Sequence, residues 1–174
     1  MQTTIIAEKI IEIDDVPIHF DDTKNFSSVT FLKDNSNAVR GLHLPNCDSA
    51  EALEFCKTST PDGFERIKQL VSTKCEFDEI SFVCFSILHE LGHWVQYTQF
   101  ISEGHNDQEF IMLYELDRAL LLLQRNVEFN LCRCREDGIA LNRKYDALYA
   151  ELPTEKYANE FALSHLLDAI SKIK

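Results

Sequence analysis

The sequence predicts an α+β fold in which the strands come first and the helices follow. Short β-branched segments separated by turn-forming residues precede Pro45, as expected for a small sheet. Beyond them lies an apolar stretch, Ile80 to Ile101, whose only Asp, Glu, Lys, Arg or His residues belong to a His-Glu-x-x-His sequence. Helix-capping signals follow it. The 174 residues are 45% apolar, which is enough for the core of one domain spanning residues 1–174.

Three segments near the N-terminus are predicted to form strands. Thr3 to Phe20 contains β-branched runs and is predicted to form one or two strands, although the same residues are compatible with a helical start. Ser28 to Leu32 and Ala38 to Leu44 are each bounded by turn-forming residues, and both are predicted strands. Leu53 and Phe55 alternate as in a further short strand, with a short helix as the alternative.

Four further stretches show helical spacing or helix-terminal signals. They are Phe64 to Ser72, Asn106 to Arg135, Leu141 to Glu151 and Thr154 to Ile170. Asn106 and Glu109 form a predicted capping box, and Gly138 is the expected stop of what is either one long helix or two. Pro153 is predicted to begin the last helix, because proline is well tolerated in a first helical turn.

Charge and cysteine usage disfavour several classes of function. The net charge of −12 opposes binding to nucleic acid and to anionic lipid. The six cysteines form no Cys-x-x-Cys pair, so reduced and mostly buried thiols are expected. Residues 1–15 lack the pattern of a secretory signal, and a cytoplasmic location is the expectation. A membrane-spanning Ile80 to Ile101 is disfavoured, because a glutamate and two histidines at its midpoint would be costly in hydrocarbon.

The pattern that indicates chemistry is His89-Glu90-x-x-His93. Residues four apart lie on the same face of a helix, so the two imidazoles can bind one metal ion. Glu90 lies about 100° further round the helix, where its carboxylate can reach a metal-bound water without being a ligand. The pattern favours a zinc hydrolase with Glu90 as its catalytic base. Gly92 has no side chain, which allows another helix to approach closely.

A catalytic zinc site needs a third protein ligand, and a glutamate on another helix is the common solution once the metzincin spacing is excluded. Glu155 is the predicted ligand, because it begins the pattern Glu-x-x-Ala-Asn-x-Phe-Ala near a helix start. On a helix, Glu155, Ala158 and Ala162 share a small-residue face that fits against Gly92. Asn159 can hydrogen-bond a ligand imidazole and fix its tautomer. The rival glutamates are Glu109, Glu115, Glu128, Glu151 and Glu160.

The two motifs together resemble those of the ImmA/IrrE family of gluzincin metallopeptidases. The resemblance covers HELGH, which begins at His89, and ExxANxFA, which begins at Glu155. It implies Zn²⁺ as the cofactor, His89, His93 and Glu155 as the metal ligands, and Glu90 as the catalytic acid/base. It also implies a minimal zincin fold, with a small, mostly antiparallel sheet, a buried HExxH helix and further helices C-terminal to it. The segment between the motifs, residues 94–154, is longer than is usual in the family.

The resemblance implies hydrolysis of peptide bonds in a protein or peptide substrate. Because some family members cleave transcriptional repressors, a regulatory protease of phage or bacterial origin is the specific expectation, although the substrate does not transfer with the motif. An edge strand lines the cleft in this family, and Ala38 to Leu44 is predicted to hold the substrate by strand addition. Four side chains are candidate donors to the oxyanion, and they are Tyr97, Tyr157, His43 and His165.

Two other functions are compatible with HExxH. Peptide deformylases take an upstream cysteine as third ligand, and Cys47 precedes His89 by a suitable distance. However, the residues around Cys47 lack the glycine-containing context of that family, and Gly92 stands where its motif carries aspartate. The non-enzymatic alternative is a zinc-stabilised or metal-free protein that binds a host protein through its acidic surface. Glu90 favours the enzyme, because a structural site needs ligands but no base.

Overall fold

The computed structural model describes residues 1–13, 16–22, 27–31 and 39–174, and in these residues the chain is α+β and mostly helical, as predicted. The three strands are β1 (Ile18–Asp21), β2 (Ser28–Thr30) and β3 (Gly41–Pro45). The seven helices of the described residues are α1 (Thr3–Ile10), α2 (Ser49–Ser59), α3 (Pro61–Ser72), α4 (Glu79–Ser102), α5 (Asp107–Phe129), α6 (Arg135–Ala150) and α7 (Pro153–Ile173).

The sheet is small and mixed, with the strand order β1-β3-β2. β3 pairs in parallel with β1 and antiparallel with β2, so the prediction of a mostly antiparallel sheet is only partly correct. Because β3 is the central strand, the prediction that Ala38 to Leu44 forms an exposed edge for substrate is wrong. Leu42 and Leu44 alternate into the core and are fully buried. Such alternation predicts a buried face but not whether a strand is paired on both edges.

The predicted strand limits Leu32 and Ala38 lie outside the described residues. β2 falls within the predicted strand that starts at Ser28, and β3 falls mostly within the predicted strand that ends at Leu44. At the start of β3, Gly41 has a positive φ of 138°, and a methyl group there would lie 2.3 Å from the carbonyl oxygen of Pro17. Glycine is therefore required for the parallel pairing of β3 with the segment before β1.

The core is built around α4. Asp78 and Ser81 form a capping box that fixes its start. The helix packs along α7 and also contacts α1, α2, α3 and the sheet, and twelve of its 24 residues are buried. Its scarcity of charged residues predicts this burial. No helix of the described residues is long and apolar enough to cross a membrane.

The first segment predicted mainly as strand begins with a helix. Thr3, Ile6, Ala7 and Ile10 lie at helical spacing, and all four are buried against the core in α1. Burial of this face outweighs the β-propensity of the isoleucines, because β-propensity depends strongly on context. The helical start is therefore confirmed, and the strand in the same segment is confined to Ile18–Asp21.

Three other predictions about helices are also tested by the structure. Leu53 and Phe55 belong to α2, whose start is fixed by an Asp48 capping box, so the helical alternative is correct there. The region after Asn106 forms two helices, and its predicted capping box is confirmed. Gly138 does not end a helix. It lies in the first turns of α6, where a methyl group would contact the Phe129 ring at 3.4 Å, so its role is close packing.

Candidate metal centre

The two motifs of the sequence meet where α4 packs against α7. A methyl group added to Gly92 would lie 2.9 Å from the Cα atom of Ala158 and 3.2 Å from the Cβ atom of Phe161. The close approach predicted from the small-residue face of the last helix is thus confirmed. It brings Glu155, which is buried in the first turn of α7, toward the α4 face that carries the histidines.

We expect Gly92→Ala to lower the free energy of unfolding by up to about 2 kcal/mol. Alanine favours a helix over glycine by about 1 kcal/mol, but overpacking against the backbone of Ala158 costs roughly 1–3 kcal/mol and separates the helices. The matched control is Gly63→Ala in α3, where the nearest atom to the new methyl group would be 3.5 Å away. Urea denaturation of both variants checks the difference, and equal stabilisation of the two would contradict the close packing.

Three side chains form a group that could hold a metal ion. His89, His93 and Glu155 offer ligand atoms that all lie within 4.8 Å of one another. His89 Nε2 lies 3.3 Å from Glu155 Oε2, and His93 Nε2 lies 3.5 Å from Glu155 Oε1. Both imidazoles therefore direct the same ring nitrogen toward one carboxylate. His93 and Glu155 are buried, while His89 is half-buried.

Contacts from α5, α6 and α7 orient this group. Asn159 Oδ1 lies 3.1 Å from His89 Nδ1, as predicted. When Nδ1 donates this hydrogen bond, Nε2 carries the lone pair that a metal requires. The Tyr149 hydroxyl donates to Glu155 Oε1 at 2.7 Å. The His93 ring packs edge-on against the Tyr114 ring, with 5.4 Å between centroids.

Burial and neighbouring charges shift the pKa values of all three side chains. Burial acts to lower the pKa of His89, but the hydrogen bond to Glu155 and the charge of Glu90 raise it overall. Burial lowers the pKa of His93 to about 4. Burial acts to raise the pKa of Glu155, but its interactions with both histidines hold it below the usual value. These shifts favour an ionised Glu155 and a neutral His93, as metal ligation needs, whereas the raised pKa of His89 favours its protonated form, so His89 must release a proton before its Nε2 can bind a metal.

Glu90 lies beside this group without belonging to it. Burial raises the pKa of Glu90 to about 7, with the charge of His89 opposing that shift and the charge of Glu155 adding to it. A carboxyl group that titrates near neutral pH can accept a proton in one step and return it in the next. Glu90 therefore has the properties of a general acid/base next to a group of metal-ligand type.

A cavity of about 610 Å³ opens at these residues. His89, Glu90 and Glu155 line it, together with Tyr149 and Asn159. Apolar side chains from α2, α3 and α4 form much of the remaining wall, and they include Phe55, Ile67, Phe82 and Phe85. A concave, largely apolar space with a few convergent polar groups is typical of a ligand-binding site.

The rival glutamates and Cys47 lie outside the group. In the part of the chain that the structure describes, the group contains none of the rivals Glu109, Glu115, Glu128, Glu151 and Glu160. Glu115 is exposed on α5 and pairs with Arg118 at 3.8 Å. Cys47 is buried and lines the same cavity, but its sulfur is not one of the clustered ligand atoms.

The predicted oxyanion donors contact other parts of the protein. Tyr97 is buried and donates to the carboxylate of Asp107. His43 hydrogen-bonds a main-chain carbonyl beside the sheet, and His165 hydrogen-bonds within its own helix. Tyr157 is half-buried and is not among the residues that line the cavity. The tyrosine that lies at the cavity is Tyr149, which the sequence spacing did not single out.

We expect Tyr149→Phe to lower metal affinity by about 10-fold. The change removes the hydroxyl that holds Glu155, and loss of a group that orients a ligand typically costs about 10-fold to 100-fold in affinity. Tyr145→Phe is the matched control, because Tyr145 also lies on α6 and donates to a glutamate, Glu128, that is outside the group. A competitive zinc titration compares the two variants. Equal losses in both would show that the Tyr149 contact does not orient a ligand.

Comparisons with known proteins add no relative of this chain. Searches against protein-family models, curated proteins and solved structures each found no match. The chemistry of the site is therefore inferred from His89, Glu90, His93 and Glu155 themselves, and from the contacts that position them.

Proposed function

We propose that this protein is a zinc-dependent metallopeptidase that hydrolyses peptide bonds in a protein or peptide. The observation that carries the proposal is the group formed by His89, His93 and Glu155 at a cavity that Glu90 also lines. Two imidazoles and one carboxylate are the ligand set of several catalytic zinc sites, in which a further coordination position stays open. The resemblance of both motifs to ImmA/IrrE gluzincins supports the same activity.

Two of the separations between ligand atoms are close to those of a zinc site. Nitrogen and oxygen ligands lie about 2.0–2.1 Å from zinc, so neighbouring ligand atoms of a tetrahedral site are roughly 3.3 Å apart. The separations of the Glu155 oxygens from the two Nε2 atoms are 3.3 and 3.5 Å. A zinc ion bound by these residues would act as a Lewis acid and would lower the pKa of a water molecule toward about 7.

Glu90 performs the proton transfers of the proposed reaction. Its carboxylate accepts a proton from the attacking water and then delivers that proton to the amine that leaves. One group can serve in both steps because its pKa, raised to about 7 by burial, lies close to neutral pH. Asn159 and Tyr149 take no part in proton transfer. They hold His89 and Glu155 in the orientations that ligands need.

The proposal extends to the fold and to the biological role. A core helix that carries HExxH, a small sheet and a C-terminal helix that carries Glu155 are compatible with a minimal zincin fold. A regulatory protease of phage or bacterial origin is the role that the family resemblance favours. The substrate is proposed only as a class, a protein or peptide that reaches the cavity beside Glu90.

The direct test combines metal analysis with a cleavage assay. The purified protein is expected to contain about one zinc ion per chain and to cleave members of an unbiased peptide library, as detected by mass spectrometry. A chelator should abolish cleavage, and added zinc should restore it. Bound zinc with no cleavage of any peptide would contradict the peptidase and favour the interaction protein.

Cobalt substitution separates the proposed ligand set from the deformylase-like alternative with Cys47. A site of two histidines and one glutamate gives only weak cobalt absorption bands, whereas a thiolate ligand gives intense charge-transfer absorption. We expect the weak spectrum, and we expect it to be unchanged in Cys47→Ser. Intense absorption that disappears in Cys47→Ser would contradict Glu155 as the third ligand.

A further inference from the structure

The outer face of α5 carries a row of apolar side chains that nothing in the described chain covers. Its members, here called the α5 stripe, are Leu113, Leu116, Leu120, Leu123 and Val127, and each is more than half exposed. They repeat at intervals of three and four residues, so they fall within about 80° of the helix circumference. This spacing is the seam of a two-helix coiled coil.

The α5 stripe is not the face by which α5 packs on the rest of the protein. The opposite face of α5 holds the contacts to the rest of the protein, with Phe110 buried, Tyr114 against His93, and Arg125 bonded to Asn142 on α6. Isolated exposed leucines are normal on a protein surface, but a contiguous apolar patch marks an interaction site. The stripe therefore needs a partner that presents a matching apolar helix.

We propose that the α5 stripe is the interface of a homodimer in which α5 pairs antiparallel with α5 of a second copy. The stripe nearly matches itself when its direction is reversed about Leu120, since Leu113 then lies opposite Val127 and Leu116 lies within one position of Leu123. Self-matching of one surface is what a two-fold symmetric interface requires. The helix dipoles also oppose each other favourably in this arrangement.

Charge selects the antiparallel direction over the parallel one. Glu109 lies on the face of the stripe, one turn before Leu113, so parallel helices would bring two Glu109 carboxylates together. Antiparallel helices instead place the two Glu109 carboxylates at opposite ends of the pair, each near the segment after α5 of the other copy, which carries exposed Arg133 and Arg135 together with Glu136 and Asp137. The antiparallel direction is therefore favoured because it removes the repulsion between like charges.

The exposed apolar area is sufficient for a stable dimer. Met112, next to Leu113, and Leu131, two residues beyond the end of α5, lie near the two ends of the stripe and are also exposed. At roughly 100 Å² of exposed apolar surface for each side chain, the seven residues would bury about 700 Å² on each copy. The total of about 1,400 Å² lies within the range of specific protein–protein interfaces.

The test measures the mass of the intact native protein in solution between about 1 and 100 μM, a range suited to an interface of this size. Sedimentation equilibrium should give twice the chain mass of 20.1 kDa. Leu120→Arg should give a single chain, because the two arginines would meet at the symmetry axis. The control is Leu167→Arg on α7, an equally exposed leucine outside the stripe, which should remain dimeric.

Cross-linking tests the direction of pairing, in a Cys134→Ser background that removes the exposed native thiol. Leu113→Cys mixed with Val127→Cys should form a disulfide between copies, whereas Leu113→Cys alone should not. Cross-linking of Leu113→Cys to itself would overturn the antiparallel arrangement. A native protein that is monomeric at 100 μM, a Leu120→Arg variant that stays dimeric, or a Leu167→Arg variant that becomes monomeric would overturn the interface.

Discussion

Changing Glu155 to alanine is expected to lower the affinity of the protein for zinc by about 100-fold to 1,000-fold. Four-ligand zinc sites bind with roughly 10–16 kcal/mol, or roughly 2.5–4 kcal/mol for each ligand, and about 1.4 kcal/mol is a tenfold change in affinity. Glu155 provides the two oxygens that face His89 and His93 at 3.3 and 3.5 Å. A titration in competition with a chromophoric chelator measures the change.

The matched control is Glu115→Ala, which should leave zinc affinity within about twofold of the native value, because that exposed side chain pairs with Arg118 instead. Circular dichroism should show both variants folded. Glu155→Gln adds a second comparison, since it keeps the shape of the side chain and removes its charge. Loss of zinc in Glu115→Ala with full binding in Glu155→Ala would move the metal site to α5 and would show that the ExxANxFA pattern is accidental.

The core of the candidate site was predictable because each half of it lies on a single helix. His89 and His93 are one turn apart, so helical periodicity alone puts them on one face. Glu155 was predictable because Ala158 and Ala162 follow it on the same face, and only small residues let that face approach Gly92. The close approach of Gly92 to Ala158 and the hydrogen bond from His89 to Asn159 confirm the packing that this reasoning requires.

Tyr149 could not be predicted by the same route. It lies on α6, and the turn at Glu151 and Leu152 sets its position relative to Glu155. The direction of a helix after such a turn depends on tertiary packing, which no periodic pattern in the sequence reports. The exposure of the α5 stripe could not be predicted from the sequence either, because apolar residues at helical spacing predict a buried face wherever they occur.

The order of the strands in the sheet also could not be predicted from the sequence. Alternation correctly indicates that Leu42 and Leu44 share a buried face, but strand order depends on contacts between distant segments. β3 was predicted as an edge because it is the last strand in the sequence, yet the two earlier strands pair on either side of it. In α1, the same isoleucines satisfy a strand propensity and a helical spacing, and burial against α4 and α7 decides between them.

Changing Glu90 to glutamine is expected to abolish peptide hydrolysis while zinc binding and folding are kept. Glutamine has nearly the same shape as glutamate but cannot accept the proton of the attacking water, and loss of a general acid/base typically costs about 10²-fold to 10⁴-fold in kcat. Zinc affinity should change by less than about tenfold, because Glu90 lies outside the ligand group. Metal content, far-UV circular dichroism and kcat on a cleavable peptide measure the three properties.

Glu103→Gln is the matched control for this change. Glu103 caps the C-terminal end of α4 and is exposed, so the same chemical substitution at the end of the same helix should leave kcat unchanged. KM should change little in Glu90→Gln if the carboxylate acts only in the chemical step. A large rise in KM with an unchanged kcat would instead assign Glu90 to substrate binding, and full activity would place the base elsewhere.

Comparison of Glu155→Ala with Glu90→Gln separates loss of catalysis from loss of metal binding. Glu155→Ala should lose activity because the metal is lost, so an excess of zinc should restore part of it. Glu90→Gln should lose activity with the metal still bound, and an excess of zinc should restore none. A structural zinc site would give different results for the two variants. Glu155→Ala would destabilise the fold, whereas Glu90→Gln would change neither the metal content nor the folding of the protein. Only a catalytic site makes Glu90 indispensable without making it a ligand.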